Sequence, residues 1–240
     1  MRNKDKRILE RIEMDRKDWI QIILLIAMFV SGFYLYQFLP EQVPLHWGPD
    51  GRPDSYGSKF FAVIVVPILT LILYLMLKFV PHVMTYKENF KKFEKYYDDF
   101  RLVLVLFFFF LYVFTLIPGF GYKVNMNYFI IPALAILFYY IGSILPKMKR
   151  NFFIGIRTPW TLASEEVWDK THKNSAWLFK IGGIFFILAA IFKDYFIWII
   201  VGYVLLIILF VLVYSCFLYK KGEDKYEKDI SKATKTRKRK

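Results

Sequence analysis

A short polar run interrupts a chain built mainly from apolar stretches. From residue 151 to 162 it reads Asn-Phe-Phe-Ile-Gly-Ile-Arg-Thr-Pro-Trp-Thr-Leu. Gly155 permits close backbone approach, and Pro159 biases Thr158 toward an extended conformation. Arg157 carries a planar fork of donors suited to a carboxylate or a phosphate. With Trp160 and the nearby Trp168 these residues form a candidate recognition motif on the cytoplasmic side. Two readings stay open. One is docking of a protein partner; the other is an interfacial elbow, with Arg157 on lipid phosphate and the tryptophans among the headgroups.

A second polar island lies between residues 39 and 59. It contains Pro40, Pro44, Pro49 and Pro53 beside Gly48, Gly51 and Gly57. Pro49-Asp50-Gly51 reads as a tight turn, so a compact cap is expected here in place of a floppy linker. His46, Asp50 and Asp54 are spaced by four. One imidazole and two carboxylates make a weak cation site, so no metal and no cofactor is expected. His46, Trp47, Asp50 and Asp54 are instead candidates for a ligand-facing loop, although Trp47 would also serve as an interfacial anchor. His172, near Glu165, Glu166 and Asp169, lacks metal-ligand spacing. No catalytic triad, phosphate-binding loop or zinc-protease pattern occurs, and the chain is read as a non-enzyme.

The elements that must hold these islands are membrane helices. The chain is 57% hydrophobic, with 26 Phe and 17 Tyr in 240 residues. A helix needs roughly 20 apolar residues to cross the hydrocarbon core. Six stretches approach or exceed that length: 19–38, 60–80, 102–120, 128–145, 177–192 and 195–219. The fold class is therefore all-α, a polytopic membrane bundle of six helices. A β-barrel is excluded, because these runs are apolar on both parities. The fifth stretch is short, with Lys180 in its first turn, and is expected to cross with Lys180 snorkelling to the headgroups.

Charge distribution sets the expected topology. Of 34 Lys and Arg residues, 30 fall before the first stretch, in alternate connections or after the last stretch; only Arg52, Lys59, Lys123 and Lys193 fall in the other connections. That asymmetry is the positive-inside pattern. It places both termini in the cytoplasm of a multi-pass plasma-membrane protein, and it accounts for the +14 net charge without a nucleic-acid partner. The single Cys216 excludes an intramolecular disulfide. The first stretch lacks a cleavage pattern and is read as an anchor.

These readings divide the chain into a basic N-terminal tail (1–18), a two-helix unit (19–80) with the 39–59 loop, and a cytoplasmic connection (81–101). A second helix pair (102–145) follows, then the motif loop with the third pair (146–219) and a basic tail (220–240). Ile8, Leu9 and Ile12 share a face of a short N-terminal helix. The 81–101 connection is expected to be a helical extension, Ser164 to cap a helix entering the fifth span, and the tail from Lys220 to be disordered. Ser31-Gly32 and Gly142-Ser143 are expected at close helix contacts.

The run from Phe153 to Leu162, followed by Glu166-Val167-Trp168, resembles the signature of the SdpI-like immunity family. Leu39-Pro40-Glu41-Gln42-Val43-Pro44-Leu45-His46-Trp47 is similar to that family's N-terminal domain of unknown function, and Gly121-Tyr122-Lys123-Val124-Asn125 and the six-span plan agree. The resemblance implies immunity to a secreted sporulation-delaying toxic peptide. It also implies sequestration of a cytoplasmic autorepressor by the type member. This chain departs from the pattern in its longer basic tails and its charged 87–101 connection, which are surfaces where a repressor would dock. Expected partners are thus membrane lipids, a secreted toxic peptide and a cytoplasmic repressor. A lipid or peptide exporter and a general envelope-integrity protein are the alternatives.

Overall fold

A computed structural model describes the backbone of residues 14–83 and 86–237, with side chains as far as residue 222. The N-terminal helix face of Ile8, Leu9 and Ile12 and the last three residues of the basic tail lie outside the described residues. Six helical stretches are long and apolar enough to cross a membrane: Arg16–Tyr36, Lys59–Val83, Lys87–Phe120, Asn127–Lys147, Glu165–Ile191 and Lys193–Gly222. Large side chains such as Phe33 (88% exposed) and Trp198 (72%) point outward. An apolar exterior of this kind suits lipid, which leaves the backbone groups to be satisfied within the helices.

The chain forms two compact units. The first comprises residues 1–80 and 95–133. Helix α1 (Arg16–Tyr36) opens with a reciprocal capping box. Asp18 N–H donates to the Asp15 carboxylate at 2.7 Å, and Asp15 N–H donates to the Asp18 carboxylate at 3.2 Å. The 39–59 loop then forms an antiparallel hairpin, β1 (Gln42–Trp47) and β2 (Pro53–Ser58), pairing Gln42 with Ser58 and Trp47 with Pro53. This hairpin is the one departure from an otherwise helical architecture among the described residues. The expected compact cap is there, but Pro44 and Pro53 had concealed its strand character. Helices α2 (Lys59–Val83) and α3 (Lys87–Leu116) follow. Met28, Leu39, Val43, Val63, Tyr112 and Leu116 form one core, which anchors the hairpin base through Val43.

The second unit comprises residues 81–94 and 134–240. It contains most of α4 (Asn127–Ile144), α5 (Pro159–Ala163), α6 (Glu165–Lys180), α7 (Gly182–Ile191) and α8 (Phe196–Arg237). Ser164 caps α6 as expected, accepting from Val167 N–H. Because α6 and α7 meet at Ile181, the fifth span is a 27-residue helical stretch, not the 16-residue run expected from hydropathy. Its polar N-terminal half is the helix expected to enter the span from Ser164. Small residues let the helices close: a Cβ on Gly142 would lie 2.6 Å from Ala176 O, and one on Gly183 would lie 2.7 Å from Ala135 Cβ. The expected disorder from Lys220 does not hold as far as Arg237, because α8 continues to that residue.

Candidate functional site

In the first unit the hairpin turn is clamped from the side. Gly48 O accepts from Gly51 N–H at 2.9 Å, and Gly51 takes φ +74°, a value that disfavours any side chain. The 125–127 segment seals it. Asn125 Nδ2 donates to Asp50 O at 3.0 Å, Asn127 Nδ2 donates to Pro49 O at 2.9 Å, and Met126 N–H donates to Gly51 O at 3.0 Å. Three bonds from one short segment make the turn a fixed feature.

His46 and Asp54 meet across the strands, Nδ1 to Oδ1 at 2.6 Å, with both side chains largely exposed. Asp50 is drawn back into the turn, where its carboxylate accepts from Arg52 N–H at 3.1 Å. Trp47 is half-buried, and its Nε1 has no hydrogen-bond partner among the described residues. The structure therefore pairs His46 with Asp54, while Asp50 bonds within the turn. No cluster of three metal-ligating side chains occurs among the described residues.

Beside the hairpin lies a cavity of about 810 Å³, whose lining includes Arg52, Tyr56, Tyr122 and Lys123. Sequence reading had singled out neither Arg52 nor Lys123 as a site residue. They lie 71 positions apart in the chain, and the Asn125–Asn127 clamp ties their loops together.

In the second unit the motif loop is held from within by a chain of polar contacts. Asn151 is 1% exposed and uses both ends of its amide. Its Oδ1 accepts from Phe153 and Ile154 N–H at 2.8 Å each, while Nδ2 donates to Lys149 O and Ile154 O. Gly155 then turns at φ +104°. Ile156 N–H donates to His172 Nε2 at 3.0 Å, and His172 Nδ1 pairs with Trp168 O at 2.8 Å. The two bonds define the tautomer, because Nε2 must be the acceptor and Nδ1 the donor. Trp168 is fully buried, stacks on His172 at 4.1 Å and donates to Met148 O.

Thr158 ends the loop as the N-cap of α5. Its hydroxyl accepts from Thr161 N–H at 3.1 Å and contacts Ser215 Oγ of α8 at 3.0 Å. Pro159 occupies the first helical position, where a missing N–H is harmless. Arg157 is exposed; its guanidinium donates to Phe152 O at 2.7 Å. Pro159 is also exposed and Trp160 half-exposed. Gly155, Thr158 and Trp168 are thus internal fasteners, whereas Arg157, Pro159 and Trp160 face outward. Sequence reading placed Asn151 and Thr161 in the motif run without giving them a role, and it missed Ser215 and the role of His172, whose partners Thr158 and Ile156 lie far away in the chain.

A buried charge cluster joins α1, α2 and α3 in the first unit. Asp18 and Arg101 are 1% and 3% exposed, with Asp18 Oδ1 2.7 Å from an Arg101 nitrogen; Lys78 bonds the other carboxylate oxygen. Charge counting had treated Lys78 and Arg101 as topology markers. Their convergence on Asp18 comes from residues about 60 and 83 positions away, which no local pattern encodes.

Six span-length helices carrying two internally fixed polar loops define a multi-pass membrane protein. Residues 147–215, which contain the Asn151–Trp168 network, match the SdpI/YfhL protein family. Residues 23–71, which contain the hairpin, match a domain of unknown function, DUF1648. The chain is 29% identical over 207 residues to Immunity protein SdpI of Bacillus subtilis (strain 168), covering 86% of this chain and 97% of that protein. It is 32% identical over 47 residues to Uncharacterized membrane protein YbgB of the same organism, covering 20% of this chain and 52% of that protein. No solved structure matches the chain.

Proposed function

We propose that this chain is a plasma-membrane immunity protein that protects its cell from a secreted toxic peptide. The observation that carries the proposal is similarity over 97% of the length of an immunity protein. Matches that include both the hairpin and the motif loop support it. The positive-inside charge pattern puts both termini and the motif in the cytoplasm and turns the hairpin outward. On this reading the outer loop, with His46, Trp47, Asp50 and Asp54, meets the toxin. The inner motif offers Arg157, Pro159 and Trp160 to a cytoplasmic partner such as a repressor. No chemical step is required of the protein.

The test is survival of a toxin-sensitive Gram-positive strain that lacks its own immunity protein and expresses this chain at verified membrane levels. Exposure to purified sporulation-delaying toxin should leave more survivors than the empty vector. Equal killing would refute the immunity reading. A fusion of the repressor to a fluorescent protein reports the inner partner separately, through toxin-dependent movement to the membrane.

A further inference from the structure

The cavity beside the hairpin has a lining of consistent character. Its lining includes four prolines (Pro40, Pro44, Pro53 and Pro118), Tyr56 and Tyr122, Gln42 and Asn125, and the cationic residues Arg52 and Lys123. No Asp or Glu lines it. Arg52 has only a weak neighbour, Asp50 Oδ2 at 3.8 Å from its Nε, and that pair is solvent-exposed. Lys123 is exposed and has no carboxylate within 4.0 Å among the described residues. Two cationic residues without strong partners therefore line a groove whose lining residues carry no carboxylate.

Its volume, about 810 Å³, falls within the range of built ligand sites and far below what a folded domain needs. Its only aliphatic lining residue is Val124. An acyl chain needs a continuous aliphatic wall, so the groove is poorly suited to a lipid tail. Proline and tyrosine faces suit an extended peptide, because rigid rings give contact area at little cost in conformational entropy. The Gln42 side-chain amide beside them can bond a peptide backbone. The groove is also built in advance, since the Asn125–Asn127 clamp fixes its two walls together.

We propose that this groove binds an extended peptide segment bearing carboxylates, held by Arg52 and Lys123 and packed against Tyr56 and Tyr122. The assignment deepens the immunity reading by naming the chemistry of the outer ligand, and it rests on that reading for the groove's exposure outside the cell. Arg52 supplies a bidentate fork and Lys123 a point charge, so two carboxylates a few residues apart bind better than one.

The test uses the full chain in nanodiscs of neutral lipid, with fluorescein-labelled (Glu-Tyr)3, (Gln-Tyr)3 and (Lys-Tyr)3 peptides read by polarisation. The Glu peptide should bind at least tenfold more tightly than the Gln peptide, and the Lys peptide should not bind. Arg52→Gln and Lys123→Gln should each weaken Glu-peptide binding roughly fivefold to tenfold, with melting unchanged because both side chains are exposed. Arg52→Lys should retain part of the binding, and added salt should weaken the wild type. Equal binding of all three peptides, or a double Gln variant that binds like the wild type, would overturn the proposal. So would displacement of the probe by phosphatidylglycerol vesicles with no Glu-peptide preference, which would mark a lipid-headgroup site. Survival separates the two readings. Protection without peptide binding removes the groove and leaves immunity standing, whereas selective peptide binding without protection does the reverse.

Discussion

Replacing Gly155 with Ala tests the internal fastening of the motif loop. Gly155 has φ +104°, and a Cβ there would lie 2.5 Å from His172 Nε2 and 3.2 Å from Trp168 Cζ2. The backbone strain alone costs about 1–3 kcal/mol. The imidazole has no easy retreat, because it is stacked on Trp168 and tied to Trp168 O. Moving it breaks the Ile156 N–H bond to Nε2, a further loss of about 1–2 kcal/mol if that donor is stranded. The total is about 2–5 kcal/mol. Gly121 supplies the control: it has φ +86°, but a Cβ there would meet nothing within 4 Å. Gly121→Ala should therefore cost only the strain, about 1–2 kcal/mol. Thermal unfolding in detergent, followed by fluorescence-detected size exclusion, should rank wild type above Gly121→Ala and that above Gly155→Ala. The last gap should be about 2–8 °C for a chain of this length. Adding His172→Ala to Gly155→Ala should cost less than the two single losses combined, since the clash is already relieved. A Gly155→Ala protein that melts with or above Gly121→Ala would refute the packing argument.

Three further perturbations address other contacts. Asp18→Asn leaves Arg101 buried without its full counter-charge and should destabilise by about 3–5 kcal/mol in denaturant titration, with partial recovery in Asp18→Asn/Arg101→Met. Asn125→Ala combined with Asn127→Ala removes two clamps on the hairpin turn, about 1 kcal/mol each. It should speed amide exchange at residues 48–52 before any change in helix protection appears. Thr158→Val removes both the cap to Thr161 and the contact to Ser215 and should cost about 1–2 kcal/mol in melting, whereas Thr158→Ser should cost far less.

The helices were legible because lipid imposes a one-dimensional rule: an apolar run of sufficient length must be a helix. Phe60 to Val80 follows that rule, and α2 fills Lys59–Val83. The rule fails where a helix leaves the hydrocarbon, so the Glu165 half of the fifth stretch was legible through the Ser164 cap and not through hydropathy. The hairpin was legible as an ordered cap through Pro49-Asp50-Gly51, but not as strands, since its prolines speak against strand pairing. Arg52 with Lys123, Asp18 with Arg101 and Ile156 with His172 were not legible at all. Each pair joins residues separated by 16 to 83 positions, and periodicity carries no information at that distance.

The motif read from the sequence mixes two kinds of residue that the structure separates. Asn151, Gly155, Thr158, Thr161, Trp168 and His172 spend their bonding capacity or their small size on the loop itself. Arg157 gives one bond to Phe152 O, and no carboxylate lies within 4.0 Å of it among the described residues. Its guanidinium has further donors for an outside carboxylate or phosphate. The distinction changes what a loss of protection means. A Thr158→Val cell that dies under toxin reports an unfastened loop, and its protein melts early. An Arg157→Ala cell that dies while its protein melts like the wild type reports a lost contact. Survival and melting must therefore be measured on the same variants, and only the second pattern assigns a residue to recognition.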